Sequence, residues 1–482
     1  MNDKSTNRLK TWVLALTSVS SFMVVLDSQV VATALSAIRG DLRASMETLE
    51  WTVNAYNLAF AVLLLTGSAL GDRFGRRRIF VAGIGVFVLS SAAAALSQGA
   101  AWLIAARAFQ GAGAALIMPL AMALLSATFQ REARSKALGI FSGVTGLALI
   151  VGPLAGGAIT ATLTWQWIFW INVPLGAIVI ALLLRYCPES RGAPAPLDTI
   201  GLGLVTLAAL AVVFGLMQGN DAGWTSAPVV SVIAAGLLLA SGFVVWERRA
   251  RAPMVPMRLF AARAFSAGVT ASFLFYAAMY GVLFFLPQFF QSAQGADPLG
   301  AGLRLLPWTA TLFVFAPIGG SLVKRFGERR LVSAGLFTQA FGFAWIAFIA
   351  TPELAFAQLV APLLIAGTGV SLAMPASQNA VLSAVAPAEI GKASGSFNMA
   401  RFLGGVFGVA LLVGVFDAHG STASLQSFSD GFRAAILVSA LLSLAGALAA
   451  LALPGKAAGR LASLTPTRSS PGACSTRRKP RG

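Results

Sequence analysis

Two short stretches, which lie 252 residues apart, decide the fold of this chain. The first reads Leu70-Gly-Asp-Arg-Phe-Gly-Arg-Arg-Arg78, and the second reads Leu322-Val-Lys-Arg-Phe-Gly-Glu-Arg-Arg330. Each is a basic segment with a Phe-Gly pair at its centre, and each lies between two long apolar segments. A sequence that recurs at a fixed spacing indicates a duplicated structural unit.

The composition around these stretches is that of an integral membrane protein. Hydrophobic residues make up 57% of the 482 residues and charged residues only 11%, whereas soluble globular proteins carry about 25% charged residues. The long apolar runs do not alternate with polar residues, which excludes a membrane β-barrel. One histidine, His419, excludes HExxH zinc sites, and no GxxxxGK[ST] motif for ATP binding is present. We therefore expect no metal site and no cofactor.

Fourteen apolar segments are long enough to cross a bilayer, which takes about 20 residues. Because a lipid-embedded backbone must satisfy its own hydrogen bonds, each segment is predicted to be a helix. The fold class is thus an all-α integral membrane protein with fourteen transmembrane helices. The predicted spans are about 12–35, 50–70, 79–98, 101–125, 136–160, 166–185, 198–218, 228–246, 264–290, 301–323, 331–350, 355–380, 394–416 and 432–453.

The distribution of basic residues predicts the orientation of these spans. If the N-terminus lies inside the cell and the spans alternate, 29 of the 35 Lys and Arg residues fall on the inner side. Such segregation is expected for cytoplasmic loops. The net charge of +18 is therefore explained by topology, and we expect no nucleic-acid partner. Both termini are predicted to be cytoplasmic, in the bacterial plasma membrane.

The repeat predicts the domain organisation. The offset of 252 residues also carries the start of span 1 to the start of span 9, and the glycines of span 5 (Gly152, Gly156) to those of span 13 (Gly404, Gly408). Two related six-helix bundles therefore flank an inserted helix pair. The predicted units are a cytoplasmic head (1–11), an N-terminal bundle (12–190), inserted helices 7 and 8 (191–250), a C-terminal bundle (251–453) and a disordered basic cytoplasmic tail (454–482).

The first stretch and its echo resemble motif A of the major facilitator superfamily. In that family the loop between the second and third helices gates the conformational change, as an interaction that locks the two bundles on the inner side. The resemblance implies the same role here, although the family usually has Gly where this chain has Ser68. An ordinary basic loop is the alternative. The candidate gating residues are Asp72, Arg73, Gly75, Arg76 and Arg77.

Asp27 in span 1 and Arg107 in span 4 are predicted to form an ion pair within the membrane. Each lies six to eight residues from the outer end of its span, so their depths match. A charged side chain at that depth is costly unless it is paired, and Asp27 is the only acid well inside a predicted span. The segment around Arg107 also resembles motif B of the same superfamily. A carboxyl group in this setting can exchange a proton for substrate; a purely structural ion pair is the alternative.

Span 5 resembles motif C, which is typical of the exporting antiporters in this superfamily. Glycines at such spacings remove side chains from one helix face and allow close, flexible packing. A generic packing face is the alternative, but beside the other motifs the pattern favours export. The residues that carry the resemblance are Gly139, Gly152, Pro153, Gly156 and Gly157.

Three further stretches resemble the fourteen-helix drug:proton antiporter branch of the superfamily. They begin at Trp165, Gln291 and Asn398, and they open or join spans 6, 9–10 and 13. Polar and aromatic residues in spans 2 and 13 are candidates for the wall of a substrate cavity. These candidates are Trp51, Asn54, Tyr56, Asn57, Asn398 and Arg401.

The resemblance implies a proton-coupled antiporter that exports drugs, antiseptics or antibiotics and confers resistance, with the proton motive force as its energy source. The expected partners are an amphipathic or cationic small molecule, protons and the lipid bilayer, with a periplasmic adaptor if the source has an outer membrane. One alternative is the same carrier with a specific natural product, amino acid or lipid as its cargo. A multi-span membrane enzyme is a remote alternative, because its acids would have to cluster near a membrane face and here they are scattered.

Overall fold

The computed structural model describes residues 3–129, 131–192, 197–386 and 389–455, and within them the regular structure is helical throughout. Most of the predicted basic tail lies outside the described residues. Fourteen helical segments, named α1 to α14, are long and apolar enough to cross a membrane. Single helices form α1 (Asp3–Leu42), α2 (Met46–Phe74), α3 (Arg76–Ala95), α4 (Ala100–Thr128), α5 (Arg131–Thr162), α7 (Thr199–Ala222), α8 (Ala227–Arg249), α11 (Glu328–Ile349), α12 (Phe356–Ser383), α13 (Ile390–His419) and α14 (Leu425–Ala450).

The remaining three spans are interrupted helices. The span α6 consists of Trp167–Trp170 and Asn172–Tyr186, and α9 continues from Arg263–Gln288 into a π-helical turn, Phe289–Ala293. The span α10 is built from Pro298–Arg304, Leu306–Thr309 and Thr311–Phe326. The predicted number of spans is therefore confirmed.

The repeated Phe-Gly pairs mark two equivalent helix ends. Gly75 lies between α2 and α3 with φ +112°, and Gly327 lies between α10 and α11 with φ +80°. Positive φ values are strained for residues that have a Cβ atom. Glycine is therefore required at the same turn in both copies, which explains why this part of the repeat is preserved in the sequence.

Packing divides the helices into the two predicted bundles. Within the N-terminal bundle, α1 packs on α5, and α4 packs on α2 and α3; within the C-terminal bundle, α9 packs on α13, and α12 packs on α10 and α11. The inserted pair α7–α8 packs together, and α7 also lies against α2 and α13. There an apolar cluster joins Val62 of α2, Val213 of α7 and Val406 of α13. The inserted pair thus covers the seam between the bundles.

The contacts show that the repeat does not keep one offset along the chain. Gly67 of α2 packs on Ala115, whereas Gly319 of α10 packs on Ser371. The pair of α2 and α10 keeps the offset of 252, but the partner in α12 lies 256 residues after its equivalent in α4. The glycines of α5 and α13 pack in the same way, because Gly152 and Gly156 contact Gln29 and Thr33 of α1, while Gly404 and Gly408 contact Phe273 and Ala277 of α9. The glycines keep the offset of 252, and their partners lie 244 residues apart.

The two bundles meet most closely at one face of the molecule. We call the face with the turns at Gly75 and Gly327 the basic face, and the other the opposite face. Near the opposite face, a Cβ atom on Gly157 of α5 would lie 2.4 Å from the carbonyl oxygen of Pro298 in α10. Gln291 also donates a hydrogen bond of 3.0 Å to the carbonyl oxygen of Thr33.

Three glycines in the half of α5 near the basic face have no close neighbour among the described residues. A Cβ atom on Gly139, Gly143 or Gly146 would meet no described atom within 4 Å. The contacts between α5 and α10 thus close the two bundles at the opposite face, and a further contact between the bundles, of Gly395 in α13 with Leu65 in α2, lies nearer the basic face.

Candidate functional site

The carboxylate of Asp27 is the centre of a buried polar network. Its Oδ2 atom accepts from Nη1 of Arg107 at 2.5 Å. Its Oδ1 atom accepts from Nε2 of Gln110 at 2.8 Å and from Nδ2 of Asn172 at 3.0 Å. Asp27 is 2% exposed and Arg107 is 1% exposed. The predicted ion pair is therefore present, and two amide side chains complete the coordination of the carboxylate.

Arg107 has partners on every side. Its Nη1 atom also donates to Oε1 of Gln110 at 2.6 Å, and its Nε atom donates to the carbonyl oxygen of Thr52 at 3.2 Å. The guanidinium lies 4.2 Å from the centre of the Tyr56 ring, a distance suited to a cation–π interaction. A buried charge that is paired and hydrogen-bonded in this way avoids most of its desolvation penalty.

Ser91 joins the network to one further helix, α3. Its hydroxyl accepts from Asn172 at 3.1 Å and from Gln110 at 3.3 Å, and donates to the carbonyl oxygen of Phe169 at 2.9 Å. Sequence reasoning assigned no role to these side chains. Only Gln110 carried a signal, because a residue three positions after Arg107 lies on the same face of the helix.

A cavity lies between the two bundles, and the Asp27–Arg107 pair is not part of its wall. From the N-terminal bundle the cavity is lined by Gln29 and Leu149, which come from α1 and α5. The C-terminal bundle contributes most of the wall, from α9, α10, α12 and α13. Its lining residues are Met279, Leu283, Trp308, Thr309, Leu312, Val370, Met374 and Arg401.

Arg401 is the charged residue of this cavity wall. Its guanidinium carbon lies 4.9 Å from the centre of the Tyr276 ring and 5.2 Å from that of Phe402. Its Nη2 atom lies 3.5 Å from the hydroxyl of Tyr280, and its buried Nε atom has no hydrogen-bond partner. In the part of the chain that the structure describes, no carboxylate lies within ion-pair distance of Arg401.

The other candidate wall residues lie elsewhere. Trp51 packs against the apolar cluster beside α7, and Tyr56 is buried under Arg107 with its hydroxyl donating to the carbonyl oxygen of Val24 at 3.1 Å. Asn398 donates to the carbonyl oxygen of Ser394 within α13. Asn54 and Asn57 are buried in α2, each with a side-chain oxygen that lacks a partner.

Glu50 corrects one expectation from the sequence. The helix α2 begins at Met46, capped by the side chain of Ser45, and not at about residue 50, so Glu50 lies inside the helix and is fully buried. Asp27 is therefore not the only acid inside a span. Oε1 of Glu50 accepts from Asn54 at 3.0 Å, and Oε2 has no hydrogen-bond partner. The apolar pattern could not reveal this residue, since it lies where the hydrophobicity of the span begins.

The loop that resembles motif A is held within its own bundle. Asp72 forms an ion pair of 2.8 Å with Arg76, and the carboxylate of Glu189 accepts from the backbone N–H groups of Arg77 and Arg78 at the start of α3. Arg73 lies over the ring of Phe74. Acidic groups are favourable at a helix N-terminus, and sequence reasoning did not assign this role to Glu189.

Cys187 lies next to this loop. Its carbonyl oxygen accepts a hydrogen bond of 3.0 Å from Arg77. Burial raises the pKa of the Cys187 thiol to about 11, so the thiol stays protonated at neutral pH.

The residues that resemble motif C fall into two groups. A Cβ atom on Gly152 or Gly156 would lie 2.3 Å from a side chain of α1, either Gln29 or Thr33, and Gly157 faces α10 in the other bundle. Pro153 offers its carbonyl oxygen to the same α10 interface, 2.6 Å from where a Cβ on Gly302 would lie. Gly139 instead faces open space among the described residues. Close packing thus explains four of the five residues.

Comparison with known families agrees with this arrangement. The family model of the Major Facilitator Superfamily matches residues 17–409 and 269–476. The chain belongs to the Major Facilitator Superfamily. It is therefore a multi-pass membrane transporter and not an enzyme, which removes the remote alternative considered from the sequence.

Several relatives are named as resistance or export proteins. The chain is 36% identical over 453 residues to the cephamycin export protein CmcT of Amycolatopsis lactamdurans, covering 92% of this chain and 93% of the relative. It is 36% identical over 403 residues to the tetracenomycin C resistance and export protein of Streptomyces glaucescens, covering 83% and 74%. A methylenomycin A resistance protein of Streptomyces coelicolor is 34% identical over 399 residues, covering 81% and 82%.

Solved structures share the fold. A bacterial homologue of the human lysosomal transporter Spinster, in an inward-facing and unoccupied conformation, matches with a TM-score of 0.66 and 16% identity, covering 94% of this chain and 97% of that one. A D-xylose-proton symporter matches with a TM-score of 0.67 and 15% identity, covering 93% and 99%.

Proposed function

We propose that this chain is a proton-coupled antiporter that exports amphipathic organic compounds by alternating access and so confers resistance to them. The observation that carries this function is the cavity between the two bundles, closed at the opposite face, in a chain whose relatives are named as drug and antibiotic exporters. A site between two related bundles suits a carrier that opens to one side at a time.

The basic face is proposed to be the cytoplasmic one, with both termini on that side of the cell membrane. The support is the positive-inside distribution of Lys and Arg. In that orientation the contacts between α5 and α10 lie on the outer side, which supports a cavity that receives its cargo from inside the cell. The motif A loop, with Asp72, Arg73, Gly75, Arg76 and Arg77, would then lock the bundles on the cytoplasmic side once they close there.

Asp27 is the proposed proton-binding residue. Its carboxylate is held by Arg107, Gln110 and Asn172, so adding a proton would remove the ion pair and change the contacts among α1, α4 and α6. Each positive charge that moves inward across about 100 mV releases about 2.3 kcal/mol. That energy can drive export without ATP. The pair lies outside the cavity wall, so coupling would act through helix packing and not through direct contact with cargo.

The cargo is proposed to be amphipathic, because the cavity wall is mainly apolar with a few polar residues. A specific natural product remains the second candidate, since relatives are named for single antibiotics. A periplasmic adaptor would be a partner only in a cell with an outer membrane. A panel of growth-inhibition measurements in a host without other pumps would separate a broad exporter from a specific one.

The coupling is tested in liposomes that contain the purified protein and an imposed pH gradient. We expect the wild type to move amphipathic dyes against their gradient, and Asp27→Asn to lose this pH-driven transport while still exchanging dye down its gradient. Glu50→Gln, which also neutralises a buried carboxyl, is the matched control and should keep coupling. If Asp27→Asn transported dye as fast as the wild type under the pH gradient, the role of Asp27 would be wrong.

A further inference from the structure

Among the described residues that line the cavity between the bundles, the charged one is Arg401, and its charge is positive. Arg401 stands among apolar lining residues such as Leu283, Trp308 and Leu312, with Gln29 and Thr309 as neutral polar neighbours. Ligand sites of this kind bind an apolar body by contact area and orient it through a few polar groups. A positive charge at the wall therefore affects whether anionic or cationic cargo binds better.

The guanidinium of Arg401 is under-satisfied. A guanidinium carries five N–H donors, yet its contacts here are two aromatic rings and one hydroxyl at 3.5 Å, and Nε has no partner. Stacking on aromatic rings leaves the edge of the guanidinium free to donate. A cation held this way within a membrane span favours an incoming acceptor, and an anion most of all.

Asp27, the ion-paired acid of the neighbouring bundle, cannot fill this need. Both oxygens of Asp27 already accept hydrogen bonds, and Arg107 is its ion-pair partner at 2.5 Å. Asp27 is also buried inside the N-terminal bundle, away from the cavity wall. Among the described residues no acid forms an ion pair with Arg401, so its positive charge at the cavity wall is not neutralised by one of them.

We propose that Arg401 is an anion-binding subsite and that the preferred cargo is an amphipathic organic acid. A carboxylate or similar oxyanion of the cargo would accept from the guanidinium edge, as two parallel N–H···O bonds where the geometry is planar. The apolar body would lie against Met279, Leu283 and Trp308. This assignment rests on the proposed function for the cavity, and it disfavours the cationic cargo that the sequence allowed.

Two dyes that share a xanthene ring system test the charge preference: fluorescein, which is anionic at pH 7.5, and rhodamine 123, which is cationic. Binding to the purified protein in detergent is measured by fluorescence anisotropy. We expect tighter binding of fluorescein by the wild type. Arg401→Met should weaken fluorescein binding by about 10- to 100-fold, since hydrogen bonds to charged groups are of that size. Binding of rhodamine 123 should be unchanged or tighter.

Two further variants make the test specific. Arg401→Lys keeps the charge but not the planar fork, so it should retain part of the fluorescein binding. Arg304→Met is the matched control, because Arg304 also lies over two aromatic rings, Phe290 and Phe356, but does not line the cavity. It should leave the preference between the dyes unchanged.

The possible results separate the subsite from the transport function. If the wild type bound rhodamine 123 as tightly as fluorescein, or if Arg401→Met bound fluorescein as the wild type does, the anion subsite would be wrong. If fluorescein binding depended on Arg401 but no dye crossed the membrane of liposomes under a pH gradient, the subsite would stand and the proposed antiport would fail.

Discussion

Arg107 and Arg401 lie well inside spans of opposite halves of this transporter, and they have opposite surroundings. Arg107 in the N-terminal half is paired with Asp27 and hydrogen-bonded to Gln110 and the backbone of Thr52. Arg401 in the C-terminal half lies on aromatic rings beside the cavity and has a nitrogen without a partner. Arginine thus holds helices together in one bundle, and in the other it lies at the cavity with an unpaired hydrogen-bond donor.

The difference shows that burial alone does not identify a binding group. A charge that is fully compensated holds its helices together, because separating the pair would leave each ion uncompensated. A charge that is not compensated and faces a cavity is available to a ligand. The largest difference in stability is therefore expected when the same substitution is made at both positions.

Arg107→Met should destabilise the protein far more than Arg401→Met. Removing one partner of a buried ion pair costs about 3–5 kcal/mol, because the other charge remains buried and unpaired. Arg401 leaves no carboxylate behind, so its replacement should change stability by less than about 1 kcal/mol. Thermal unfolding in detergent measures both variants.

The double variant Asp27→Asn/Arg107→Met is the control for this prediction. It removes both charges and should recover much of the stability that Arg107→Met loses. Equal unfolding temperatures for the two single variants would contradict the contrast between the two arginines.

Gly157→Ala tests the contact that keeps the two bundles, and hence the two arginines, in the described arrangement. The new methyl group would lie 2.4 Å from the carbonyl oxygen of Pro298. The conformation in which the bundles meet at the opposite face should therefore be destabilised by about 1–3 kcal/mol. We expect roughly a tenfold lower transport rate in liposomes. Gly139→Ala is the matched control in the same helix and should transport normally, since that site is open. Equal rates for both variants would show that the contact is not part of the cycle.

Replacing the neutral partner of Arg107 should also destabilise the protein more than replacing the neutral partner of Arg401. Gln110→Leu removes hydrogen bonds to both Asp27 and Arg107, and should lower stability by about 1–3 kcal/mol. Tyr280→Phe removes only the 3.5 Å contact with Arg401, and should change stability by less than about 0.5 kcal/mol. Chemical unfolding in detergent compares them. A larger effect for Tyr280→Phe would reverse the comparison.

The smallest stability effect is expected in the motif A loop, where the ion pair is partly exposed. The side chains of Asp72 and Arg76 are 25% and 20% exposed, and such pairs contribute about 0–1 kcal/mol. Asp72→Asn should therefore unfold almost as the wild type does, yet transport more slowly if the loop gates the cycle. Loss of folded protein in this variant would mean that the loop is structural.

Much of this architecture is predictable because the membrane restricts the possible structures. Uninterrupted apolar segments must be helices in lipid, so their number follows from the sequence. The pairing of Asp27 with Arg107 was also predictable, since two opposite charges at the same depth are costly unless they meet. The burial of Glu50 was not, because apolar periodicity does not mark where a polar residue enters a helix.

The sequence by itself determined the fourteen spans, the two related bundles, the glycine turns at Gly75 and Gly327 and the Asp27–Arg107 pair, because each follows from local chemistry or from the cost of charge in lipid. Only the tertiary structure decided which of these groups face the cavity. Residues on one span point to its own bundle, to the other bundle or to lipid according to helix rotation and packing, which no single segment encodes. That packing placed Asp27 inside one bundle and left Arg401 facing the cavity.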